Sequence, residues 1–174
     1  VVSVTAVGLI AQTRVNPPKN KYSLEDDVKL GRQAAQEASK ELPLLRDDLV
    51  TGYVDDMGRR LTRVIPDRFN YPVFEYSFTT VNVRDINAFA LPGGPMFVNR
   101  GMIEAATTEA EVVGVMAHEL AHVLLRHGTA QATKAQNFQL GAIAGAIAGA
   151  IIGGDAGAVI SEGSRFGLGT YFLK

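Results

Sequence analysis

Along the chain the apolar positions pass from a helical period to alternation and back to a helical period. After an apolar, uncharged opening (Val1–Gln12) comes Asn16-Pro17-Pro18-Lys19-Asn20, a turn-rich linker. Ser23 is placed to cap a helix, with Glu25, Asp26 and Asp27 at its positive end. That helix should run to about Leu42, where Pro43 stops it. A second helix is predicted over Asp47 to Ile65, with Leu49, Tyr53, Met57, Leu61 and Val64 on one face, ended by Pro66.

Alternation then takes over. Val73 to Val83 reads as a strand, rich in aromatic and branched residues. Two shorter extended runs, Ile86–Leu91 and Met96–Val98, flank Pro92-Gly93-Gly94-Pro95 and predict a hairpin. A short helix follows, from Asn99 or Arg100 through Ala105. The next helix starts with Thr108-Glu109-Ala110-Glu111, a capping box with Thr108 as N-cap and Glu111 reaching back. Gly128 is its expected C′ residue, preceded by Arg126 and His127 near the negative end. Its apolar residues (Val112, Val113, Val115, Met116, Leu120, Val123 and Leu124) cover several faces and predict a helix buried on most sides.

Glycines 141, 145, 149 and 153 recur every four residues beside Ile143, Ile147 and Ile151. On a helix they form a smooth stripe suited to close helix approach. We read this segment as a helical hairpin lid near the site, with membrane contact as the competing reading. Residues 1–20 are thus an apolar segment plus linker, and residues 21–174 a single domain. Val1–Gln12 fits either the hydrophobic stretch of a secretory signal or a first strand, and is too short to span a bilayer as a helix.

Composition narrows the chemistry. With 17 basic and 18 acidic side chains the net charge is -1, which argues against an electrostatic nucleic-acid binder. No cysteine is present, so disulfides, thiolate metal sites and Cys nucleophiles are excluded. The three histidines all fall between residues 118 and 127.

His118-Glu119-Leu120-Ala121-His122 is H-E-x-x-H within a helical stretch. Residues four apart lie about 40° apart around a helix, so both imidazoles point the same way and can share one metal. Glu119 is set about 100° from His118 and can act as general base without being a ligand. Zinc suits two imidazoles and lowers the pKa of a bound water to about 7. Uncharged flanks strengthen the signal, since three titratable groups in so apolar a helix are costly without a purpose. The extended pattern with a glycine turn and a third His is excluded, because Leu125 and Gly128 stand at those positions. His127 is nine residues after His118, about 180° around the helix, so it does not easily close on the same metal, and its role is read as capping or hydrogen bonding at the helix end rather than ligation. The remaining option for a third ligand is a carboxylate from a later helix; downstream of His122 only Asp155 and Glu162 carry one, and either could ligate, although neither lies in a ligand motif.

HELAHVLLRH at 118–127, together with INAFALPGGPMFVNRG at 86–101, resembles the gluzincin family containing HtpX, the CAAX prenyl endopeptidases and the periplasmic BepA-like and LoiP-like metallopeptidases. The resemblance covers roughly Tyr22 to Lys174. It implies an α+β, zincin-like fold, with a small sheet and an edge hairpin packed on a central H-E-x-x-H helix. It implies a third ligand from a later Glu-x-x-x-Asp motif, and since none occurs here, one beyond Lys174. It also makes Asn87, Ala88, Phe89, Ala90 and Leu91 a substrate-binding edge strand. The residues alone allow an extended peptide to pair with that edge, or a hairpin that only fills the core with Phe89 and Leu91.

The expectation is therefore a zinc metalloendopeptidase of the periplasm or cell envelope, acting on extended or misfolded proteins. Its ligands would be His118 and His122 and its base Glu119. Its partner is a protein or peptide, not nucleic acid, with membrane proximity left open. Competing readings are a chaperone-like or binding module with little turnover, and a peptidase self-inhibited by the glycine-rich segment.

Overall fold

Ser23 opens α1 (Leu24–Glu41) with a reciprocal cap: its hydroxyl accepts from the Asp26 N–H and the Asp26 carboxylate accepts from the Ser23 N–H. The structure is a computed structural model whose described residues are 15–134. The apolar opening, the glycine ladder, Asp155 and Glu162 lie outside them. Asp47 caps α2 (Asp48–Thr62) by accepting from the N–H groups of Leu49 and Val50.

The face of α2 differs from expectation. Of the expected face, Met57 is buried and Leu61 packs against the core, but Leu49 is 86% exposed and Tyr53 and Val64 also face outward, while Val54 and Gly58 are buried in their place. Gly58 decides the rotation, because it lies flat against the Phe78 ring, where a Cβ would come within 2.3 Å of a ring carbon. Close approach through a residue with no side chain outweighs the larger apolar count of the neighbouring face.

The sheet has three strands, β1 (Ser77–Val81), β2 (Ala88–Ala90) and β3 (Pro95–Asn99), in the order β1-β3-β2. β1 runs parallel to β3 with Thr79 opposite Phe97; β2 runs antiparallel with Phe89 opposite Phe97. The long strand expected from Val73 contracts to Ser77–Val81. Before it the chain turns, with the Phe74 N–H donating to Tyr71 O and the Glu75 N–H to Gly93 O, while Phe74 packs with Val28 and Val123. The hairpin is present: the Leu91 N–H donates to Pro95 O at 2.7 Å, and Gly93 and Gly94 supply the positive φ values of its turn.

After α3 (Arg100–Ala105) the chain enters α4 (Glu109–Leu124) and then α5 (His127–Lys134). The sheet lies between two helical layers. On one face Ala34 and Ala38 of α1 meet Val81, Leu91 and Phe97. On the other, Val54 and Met57 of α2 and Val112, Val115, Met116, Leu120 and Leu124 of α4 meet Ala88, Met96 and Val98. This is an α+β arrangement of helices on a small mixed sheet. Among the described residues no helix is long and apolar enough to cross a membrane.

Three expectations for α4 need correction. Thr108 is the N-cap but makes no side-chain cap; the Glu111 carboxylate instead accepts from the N–H and hydroxyl of Thr107 at 2.7 and 2.8 Å. The helix is not buried all round, since Gly114, Ala117 and Ala121 form an exposed small-residue face. It also ends earlier than Gly128. Leu125 is the C-cap, and the positive φ of 56° falls on Arg126.

Candidate active site

His118 and His122 stand one turn apart on α4, both half-buried, with ring centroids 4.7 Å apart. Their Nε2 atoms face each other at 3.0 Å. Two nitrogens so spaced can both reach one cation at the usual Zn–N distance of about 2.0–2.1 Å. Burial, aided by the neighbouring histidines, holds His122 down at about 4, so its ring is neutral at pH 7 and has a lone pair to offer. The donor set fits a divalent metal on this side. Among the described residues no group of three His, Asp or Glu side chains forms a complete cage.

Glu119 turns toward the sheet. Burial pushes its carboxyl up to about 7, opposed by a hydrogen bond from the backbone of Ala90. That bond follows from the register of β2. Asn87 O accepts from the Asn99 N–H, and the Leu91 N–H donates to Pro95 O, so odd-numbered residues turn their backbone groups toward β3. Ala88 and Ala90 therefore present theirs to the outer edge, and the Ala90 N–H meets Glu119. The side chains sort the same way. Phe89 stacks on Phe97 at 5.0 Å and Leu91 fills the α1-side core, while the methyls of Ala88 and Ala90 face α4. Small residues at 88 and 90 are what let the helix lie close enough for this contact. Of the edge strand expected over Asn87–Leu91, only Ala88–Ala90 is strand; Asn87 is exposed just before it and Leu91 lies just after it.

His127 does not lie on the far side of the helix, as a continuous α4 would require. Because the helix breaks at Leu125–Arg126, its ring returns to 4.8 Å from that of His122, with their Nδ1 atoms 2.7 Å apart. Burial lowers the pKa of His127 as well. The sequence reading missed this contact, the Ala90–Glu119 bond and the Arg126–Asp27 ion pair at 2.5 Å. The Arg-His pair just before a glycine was the available signal, but it drew the helix end too far along the chain. A cavity of about 40 Å³ lies beneath His122, lined by Ala90, Pro92, Arg126 and Thr129. The larger hollow, about 490 Å³ between α1 and β1, opens on the α1 face and includes none of the three histidines.

Comparison with known proteins agrees with the motifs. Beta-barrel assembly-enhancing protease of Escherichia coli (strain K12) is 30% identical over 105 residues, covering 60% of this chain and 21% of that protein. The protein of the same name from Yersinia pestis matches to the same extent. Metalloendopeptidase OMA1, mitochondrial, of Bos taurus is 38% identical over 53 residues, 30% of this chain and 10% of that one. The chain thus spans about a fifth of the length of the bacterial relatives it matches. The sequence pattern of peptidase family M48 matches residues 49–168, from α2 through both histidine-bearing helices, and the chain belongs to that family.

Proposed function

We propose that this chain carries the catalytic part of a zinc metalloendopeptidase of zincin-like fold that cleaves extended segments of proteins. The observation that carries the reading is a juxtaposition: two imidazole nitrogens converge at 3.0 Å, and the glutamate between them in sequence touches the outer edge of β2. His118 and His122 would hold the metal, with the third ligand outside the described residues. When bound, zinc supplies a Lewis acid that makes water nucleophilic at neutral pH. Glu119 takes a proton from the attacking water and delivers it to the leaving amine. The substrate lies along Asn87–Leu91 as an added strand, pairing with the outward groups of Ala88 and the Ala90 carbonyl. Substrates are extended or misfolded proteins of the cell envelope, a reading that rests on the resemblance to periplasmic members and on the relatives named for enhancing β-barrel assembly.

The test is Glu119→Gln in the whole chain. Cleavage of an unfolded protein such as casein should disappear while zinc content stays near stoichiometric. Loss of zinc with proteolysis intact contradicts the assignment. Chelator-insensitive cleavage would do the same for the metal.

A further inference from the structure

We infer that His127 is a positioning residue for the metal, acting through His122, and that the Arg126 turn anchored on Asp27 aims it. The inference rests on the metal reading of His118 and His122. A straight helix would carry residue 127 away from residue 122 by well over a turn's worth of rise. Instead Arg126 adopts φ 56°, a left-handed conformation that is unfavourable for a residue with a Cβ and persists only where the surroundings enforce it.

The surroundings do enforce it. The Arg126 guanidinium donates through Nε to Asp27 Oδ2 at 2.5 Å, and through Nη2 to the carbonyls of Tyr22 and Ser23 at 2.7 and 2.8 Å. Asp27 is 1% exposed. This anchor holds the turn at Arg126, after which α5 starts with His127 beside His122.

The tautomers then follow from the contacts. If His122 offers the lone pair of Nε2 to a cation shared with His118, its hydrogen resides on Nδ1. That N–H points at His127 Nδ1, which accepts, and leaves the His127 hydrogen on its own Nε2. A ligating imidazole is commonly held this way by a carboxylate or carbonyl; here a second imidazole takes that place. His127 fixes which nitrogen of His122 is free and where its ring points.

The experiment titrates the metal-free whole chain with Zn²⁺ against a chromophoric chelator, and with Co²⁺ read by its d–d absorption. It compares the native protein with His127→Ala and His127→Asn. The shorter amide of the second variant would place an acceptor oxygen near the position of Nδ1. Expected are an unchanged stoichiometry, a Kd raised about 10- to 100-fold in the Ala variant, an altered Co²⁺ spectrum, and recovery to within a few-fold in the Asn variant. The unfolding midpoint of the metal-free Ala variant should match the native one, which separates aiming from a general loss of structure. Equal affinities and spectra in native and Ala proteins overturn the inference while leaving the metal site standing. Loss of a whole equivalent of metal in the Ala variant also overturns it, by making His127 a ligand. A native chain that takes up neither ion overturns the metal site, and this inference with it.

Discussion

Asp27 in the first turn of α1 and Arg126 at the end of the H-E-x-x-H helix meet at 2.5 Å, 99 positions apart in the chain. The carboxylate is almost wholly buried and the guanidinium nearly so, with side-chain exposures of 1% and 14%. Removing one member of such a pair leaves the other desolvated and unpaired. Arg126→Ala should therefore destabilise the fold by about 3 kcal/mol, read from urea denaturation. Arg126→Lys should recover only part of this, because an ammonium lacks the fork that reaches Asp27 and two carbonyls together. A loss below about 1 kcal/mol for the Ala variant would mean that the turn is held by something else.

Gly31 of α1 lies against the hairpin turn, where a Cβ would sit 1.7 Å from the Pro92 carbonyl oxygen. The obstruction is backbone, which cannot step aside as a side-chain tip can. Gly31→Ala should cost about 3 kcal/mol, although alanine normally favours a helix. It should also displace the turn and with it β2, so proteolysis should fall in parallel with stability. An Ala variant as stable as the native protein would show that α1 slides freely on the hairpin.

The features legible in the sequence were those set by neighbours along the chain. Ser23, Pro43 and the Pro92–Pro95 turn announce themselves locally, and the H-E-x-x-H spacing places both imidazoles together on any α-helix. Features that needed a partner far away in sequence were misjudged. The buried face of α2 turns on Gly58 meeting Phe78, which no apolar count on the helix reveals. Gly128 is the natural helix end by sequence because glycine usually takes the left-handed position, but Arg126 takes it, held by Asp27. The side on which His127 lies depends on where the helix stops, so helical spacing alone puts it opposite His118, whereas the break at Arg126 brings it beside His122.

Acid should loosen the start of α4. Hydrogen bonds from Tyr53 and Arg60 hold Glu109 below the usual carboxylate range, and the Thr107 N–H and hydroxyl do so for Glu111. A carboxyl whose folded-state pKa is lowered binds fewer protons folded than unfolded. Its stabilisation is complete above the ordinary value of 4.5 and is lost as pH falls through the lower folded-state value. Denaturation midpoints should thus drop below pH 4.5 more steeply in the native protein than in Glu111→Gln. Identical pH profiles would remove Glu111 from the account.

Register makes the substrate proposal testable without altering the protein. If a peptide pairs with the β2 edge, only alternate residues of that peptide direct their amides toward Ala88 and Ala90; those between point away. A series of peptides, each N-methylated at one amide, should show KM raised by about tenfold at every second position near the scissile bond. That is the loss expected from one hydrogen bond of about 1 kcal/mol or slightly more. The intervening positions should be far less affected, and kcat should hold wherever the methyl lies away from the cleaved amide. A flat profile, or one that decays smoothly with distance from the cleavage point, would show that the peptide reaches the histidines without adding a strand to the sheet.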